Sequence, residues 1–288
     1  MKRFLFIGAL VLAFAAASSA RAEQFKGQVG LQMYSVRSVA EDDMEAAMKL
    51  ASELGFTIVE ANRLYKTTAE EYKALLDKYG LKPVCKNQAW KMYETEEGIQ
   101  EVIREAKLFG IRYVGVAWYP HGFWGLTESE ALAAAKRFNE IGERFSREGM
   151  IFVYHNHGYE FRPWKNGKPG ETIFDLLVQK TDPRWVTFNM DVTWMIFPGA
   201  DPVHYLRKYP DRFRLMHLKD LKKGVKGDFS GTTSTKNDVA LGTGQANFPE
   251  ILKAAQEAGV EYYLIEDESD DFRTQIPKSM KYLKSVSW

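Results

Sequence analysis

Cysteine is nearly absent from this chain. Cys85 is the only one in 288 residues, so no intramolecular disulfide can form. Stability must come from the core, and the chain is long enough to build one. Cys85 ends the apolar run that starts at Leu81, which reads as a buried, inert thiol rather than a nucleophile. An excess of charge is also missing. Thirty-nine basic residues face 38 acidic ones, which argues against a nucleic-acid partner, since such proteins concentrate basic charge. The lysines at 219, 222, 223 and 226 are diluted by Asp220, Gly224 and Asp228 and read as a solvated loop. No local H-E-x-x-H metal motif occurs. No glycine-rich phosphate loop follows the first expected strand, which runs into Tyr34, Ser35, Val36 and Arg37.

Long apolar runs are lacking beyond the N-terminus. Lys2 and Arg3 precede an apolar stretch from Phe4 to Ala17, followed by small residues and an A-x-A site ending at Ala22. At about 14 residues the stretch is short of the roughly 20 that cross a bilayer. It is read as a signal peptide over 1–22, with no cysteine behind it to take a lipid. The expectation is an exported, periplasmic protein with no membrane span after cleavage. Loss of Lys2, Arg3 and Arg21 would shift the net charge from +1 to −2. The remaining 23–288 suit one large α/β domain.

What is present is a repeated unit. Residues 27–34 read as a first strand. A helix with Met44, Ala47, Met48, Ala51 and Leu54 on one face stops at Gly55. Thr68 with Glu71, and Thr127 with Glu130, form capping boxes. Gly80, Gly110, Gly149 and Gly259 end further helices, each before an apolar strand. Eight strands alternating with eight helices, without a linker, give an α/β fold and point to a (β/α)8 TIM barrel. Residues 221–247 read as one long loop.

In such a barrel the chemistry gathers where strands end. The stretch 150–161 shows this most clearly. Apolar residues Met150 to Tyr154 give way to His155, Asn156, His157, Gly158, Tyr159 and Glu160. Strand alternation puts His155 and His157 on one side. Other strand ends carry Tyr34, Glu60, Trp118, His121, Asp191, His217, Lys219 and Glu266. Histidine and carboxylate ends on strands five to eight suit Mn²⁺, Zn²⁺, Co²⁺ or Fe²⁺, with Mg²⁺ left open. Taken singly, Asp191 could be a turn residue, His217 a core histidine, and Glu266 part of a solvated acidic run. Four ligand-type groups ending four successive strands make the joint reading the stronger one.

The motifs Gly30–Arg37, Tyr154–His157 with Glu160-Phe161, Met190-Asp191-Val192, His217–Asp220, Leu241–Gly244 and Ile265-Glu266 together resemble the xylose-isomerase-like barrel superfamily of sugar phosphate isomerases and epimerases. The resemblance covers nearly the whole chain after residue 22. It implies one divalent metal ion held by Glu, Asp, His and Glu at the ends of strands five to eight. Asp191, His217 and Glu266 match the last three places. The first departs: His155-Asn156-His157-Gly158 stands where many members have Glu-Asn-His-Gly, so either His155 replaces the carboxylate or Glu160 folds back. Trp194 stands where epimerase members often have a histidine.

The leading expectation is a metal-dependent isomerase or epimerase of a sugar or keto-sugar, working through an enediolate. Glu266 or Glu160 would be the general base, with His157 and Lys219 polarising substrate oxygens. Tyr34, Glu60, Trp118, His121 and Trp194 would bind substrate, and Trp90 and Trp124 could stack on it. The closest alternative is a lyase or hydratase of a 3-keto-sugar. A non-catalytic carbohydrate-binding barrel is a rival of another class. A DNA-repair endonuclease is disfavoured, because its trinuclear zinc site needs more histidines. A homo-oligomer is left open.

Overall fold

Eight parallel strands close on themselves in the computed structural model, which describes residues 23–123 and 125–288. The expected signal peptide and Trp124 lie outside the described residues. The barrel strands are β1 (Gln28–Gln32), β2 (Ile58–Ala61), β3 (Lys82–Asn87), β4 (Tyr113–Val116), β5 (Ile151–His155), β6 (Val186–Asp191), β7 (Phe213–Leu218) and, eighth in the barrel, β10 (Tyr262–Ile265). A separate two-stranded ribbon pairs β8 (Asp220–Leu221) with β9 (Asp238–Val239). It gives structure to what reads from sequence as one loop. The expected (β/α)8 TIM barrel is therefore the fold.

The local signals act as read. Both capping boxes form, with Thr68 and Thr127 accepting from the N3 amides of helices Ala69–Lys78 and Glu128–Ser146. Gly55, Gly80, Gly110, Gly149 and Gly259 all take left-handed φ values, between 64° and 88°, a conformation that costs other residues energy. Sequence reading missed three short helical turns at strand ends, Met33–Val36, Trp90–Tyr93 and Val192–Ile196, and the first of them ends β1 at Gln32 rather than at Tyr34. All three are too short for a periodic pattern.

Two apolar regions hold the molecule together. One lies between barrel and helices, and the other fills the lower barrel with Val84, Cys85, Tyr113, Val153, Leu215 and Leu264. Cys85 is fully buried, and burial pushes its thiol well above the ordinary value. The filled lower barrel leaves its upper end, at the strand C-termini, as the place for chemistry. Among the described residues no helix is long and apolar enough to cross a membrane.

Candidate active site

Strands β5, β6 and β7 bring His155, Asp191 and His217 to their C-terminal ends, all buried. One ligand atom from each lies within 4.8 Å of the others. Asp191 does two jobs. Its Oδ1 caps the short helix by accepting from Trp194 N–H at 2.8 Å, and its Oδ2 is buried without a hydrogen-bond partner among the described residues. Asn156 explains the middle of the His-Asn-His run. Its Oδ1 accepts from the Asp191 amide at 3.0 Å and its Nδ2 donates to the Asp191 carbonyl at 3.3 Å, clamping β5 to β6.

His217 is held from behind. Its Nε2 lies 2.8 Å from Glu60 Oε2. Its Nδ1 faces Asp191 Oδ2 at 3.9 Å and Glu266 Oε2 at 2.7 Å. The Glu266 contact lacks hydrogen-bond alignment, so His217 Nδ1, like His155 Nδ1, is a buried nitrogen without a hydrogen-bond partner among the described residues. Unpaired buried polar atoms are costly, and the three residues of this cluster each hold one. Two imidazoles and a carboxylate, with Glu266 alongside, suit a borderline divalent ion. The residues therefore fit the metal that the fold family implies.

The charges agree with this reading. Burial disfavours the His217 imidazolium, but Glu60 and Glu266 outweigh it and hold its pKa well above the ordinary value. A cation taking Nδ1 would displace that proton. Burial, then His217 and His157, push His155 well below the histidine range. Burial, reinforced by Glu266, lifts Asp191 to about 7, against the pull of Lys219. Burial also raises Glu266, but Lys219 and His217 outweigh it and keep the carboxylate ionised.

Above the cluster lies a cavity of about 1000 Å³. His155, His157, Trp194, His217, Lys219 and Glu266 line it, with Tyr34 and the half-exposed Trp118. Lys219 is fully buried and pairs with Glu268 and with Asp238 at 3.5 Å. Its Nζ lies 5.4 Å from the Trp194 ring centre. Burial opposes its charge, yet Glu266, Asp238 and Glu268 hold its pKa well above that of an ordinary lysine. His157 stacks on Trp194 at 4.5 Å, and its Nδ1 lies 2.9 Å from the carbonyl of Gly231. Burial, then Lys219, lower its pKa to about 4.

Three expected site residues stand elsewhere. Glu160 does not reach the cluster. Its carboxylate accepts from Tyr154 O–H at 2.6 Å and from the His157 amide at 3.0 and 3.1 Å. This arrangement leaves the strand-five place to His155. Glu60 is buried behind His217 rather than on the cavity wall, and accepts from Gln32 at 3.2 Å and Asn87 at 2.8 Å. His121 stacks on Tyr159 at 3.7 Å, beside Trp118. Sequence reading missed Asn156, Asn189, Asp238 and Glu268. A polar Asn189 between Phe188 and Met190 was the available signal; its Nδ2 lies 2.8 Å from His217 Nε2.

Known proteins share this architecture. A solved sugar phosphate isomerase/epimerase from Parabacteroides distasonis is 27% identical, with a TM-score of 0.72, over 96% of this chain and 99% of that one. An inosose dehydratase of Lacticaseibacillus casei is 26% identical over 278 residues, covering 85% of this chain and 90% of the relative. An inosose dehydratase of Clostridium tetani is 29% identical over 170 residues, and there the chain spans about half the relative's length, 55%. A family model described as xylose isomerase-like TIM barrel matches residues 48–286. With the closed barrel and its strand-end cluster, that match makes the chain a member of the xylose isomerase-like TIM barrel family.

Proposed function

We propose that this protein is a metal-dependent lyase or hydratase that eliminates a leaving group from a keto-sugar through an enolate. One observation carries the reading: His157, neutral at pH 7, and Lys219, firmly protonated, face the same cavity beside the His155–Asp191–His217 cluster. Elimination needs a proton acceptor and a proton donor together. A divalent ion held by His155, Asp191, His217 and Glu266 would supply Lewis-acid polarisation of substrate oxygens.

The chain's own residues supply the rest. With Nδ1–H donated to Gly231, His157 keeps the Nε2 lone pair as an acceptor. His157, or the ionised Glu266, takes the proton from the carbon next to the carbonyl. The electron pair forms the enolate and then expels the oxygen on the next carbon. Lys219 gives that oxygen a proton and screens the developing charge. The half-exposed Trp118 offers a face for the ring. The dehydratases among the relatives support this reading.

The second reading is the isomerase or epimerase, favoured by the Parabacteroides relative. It is weaker, because inversion at carbon calls for proton exchange on both faces and strand five here brings an imidazole where a second carboxylate would serve. Incubation with keto-sugars in D₂O, followed by NMR, separates the two. An unsaturated product supports the lyase; a deuterated, saturated epimer supports the alternative. Full turnover in both Asp191→Ala and His217→Ala would discard the metal scheme. We also place the enzyme outside the cytoplasm from its first 22 residues, and N-terminal sequencing from a periplasmic fraction should begin at Glu23.

A further inference from the structure

Lys86 and Asn87 are neighbours on β3 and point to opposite sides of the barrel wall, as strand geometry requires. Asn87 donates inward to Glu60. Lys86 turns outward, 2.6 Å from Glu105 on the helix Glu96–Phe109, with its Nζ 5.4 Å from the Phe109 ring centre. Yet both residues line the same cavity. The cavity therefore passes over the end of β3 and descends between the barrel and its helix layer. Nothing in the chemistry proposed above uses that second compartment.

Its walls have a definite character. Lys86 and Glu105 are both buried, and Gln88 donates to the other Glu105 oxygen. The floor is thus a closed ion pair with no net charge of its own, while the exposed cations Arg63 and Lys91 stand at the rim of the cavity. Asn87 stands on the other side of the wall, so the polar groups of this compartment are the Lys86–Glu105 pair and Gln88. Arg63 and Trp90 complete the opening. Donors and acceptors around a neutral floor, with an aromatic edge, match a ring of hydroxyl groups. Size points the same way. At about 1000 Å³ the cavity reaches the upper end of the roughly 300–1,000 Å³ that encloses drug-sized ligands, and a single hexose is smaller than those.

We propose that the compartment over Lys86 and Glu105 receives a second, uncharged sugar ring, so that the substrate is a glycoside of at least two rings with its reacting ring at the His155–Asp191–His217 cluster. This rests on the reading that the cavity takes a sugar.

Calorimetric titration of the purified full chain with glucose, maltose, cellobiose, lactose and glucose 6-phosphate tests it. At least one disaccharide should bind about tenfold or more tighter than glucose. Gln88→Ala and Arg63→Ala should each remove most of that gain and leave glucose affinity unchanged. Glucose binding with no gain for any disaccharide would overturn the second ring and leave the sugar reading intact. Tighter binding of glucose 6-phosphate than of every disaccharide would replace the neutral ring with an anion. No binding of any of the five would remove the sugar reading and this inference with it. Equal weakening of glucose and disaccharide in both variants would place the distal ring elsewhere.

Discussion

Glu60 Oε2 lies 2.8 Å from His217 Nε2, although the two residues are 157 positions apart in the chain. The carboxylate fixes the ring so that Nδ1 faces Asp191 and Glu266. Carboxylates behind metal-binding histidines commonly act in this way. Glu60→Gln should therefore weaken divalent-metal affinity by about 10–100-fold without unfolding the protein. Competition with a metal-sensitive dye measures this. An unchanged affinity would reduce Glu60 to a filler of the barrel.

Lys219 can be separated into charge and proton donor. Removing the charge leaves Asp238, Glu266 and Glu268 facing one another. Breaking a buried ion pair typically costs about 3–5 kcal/mol, so Lys219→Met should lose both stability and activity. Lys219→Arg keeps the charge but cannot release a proton at working pH. It should recover the thermal midpoint while kcat stays about 10²–10⁴-fold down. Recovery of kcat in the arginine variant would assign Lys219 an electrostatic role alone.

The barrel was legible because its signals are local. Capping threonines, stop glycines and apolar strands each lie within a few residues of one another, and they repeat. Asp191, His217 and Glu266 were legible once strand ends were assumed to share one face. Glu60 could be placed near that face, but its attachment to His217 depends on the register of a closed sheet, which no local pattern encodes. Glu160 misled for the opposite reason. It sits close in sequence to His155 and His157, but the turn at Gly158, with φ of 100°, aims it back at the His157 amide. The outer compartment beside β3 was hidden because Lys86 reads as a strand-end lysine until Glu105, on the following helix, is seen beneath it.

Glu160 also predicts a pH dependence of stability. Burial, only partly offset by the Tyr154 hydroxyl and the His157 amide, raises its pKa from 4.5 to about 7. The folded state thus holds the proton more tightly than the unfolded one. That contribution is complete below about pH 4.5 and is lost as pH rises through about 7. Urea midpoints measured from pH 4.5 to 8 should show this fall in the wild type and a flatter slope in Glu160→Gln. Metal content should be the same in both proteins, since Glu160 is committed to the β5 turn. A metal-free Glu160→Gln variant would return this residue to the ligand set.

Gly231 joins the loop between β8 and β9 to the site. Its φ is +70°, and a Cβ there would stand 2.8 Å from the His157 carbonyl and 2.9 Å from the Tyr159 ring. Its own carbonyl receives the His157 ring. Alanine at 231 must therefore bear left-handed strain of about 1–2 kcal/mol and also push the loop off β5, releasing the imidazole. Gly224 is the control: its φ is +84° in the same loop, and a Cβ added there would meet no described atom within 4 Å. Backbone strain alone would affect both variants alike. Loss of the His157 contact would lower kcat/KM in Gly231→Ala by about 10²-fold, the scale of a small misplacement near the reacting atoms, while Gly224→Ala keeps wild-type turnover. Equal behaviour of the two variants would mean that the loop does not position His157.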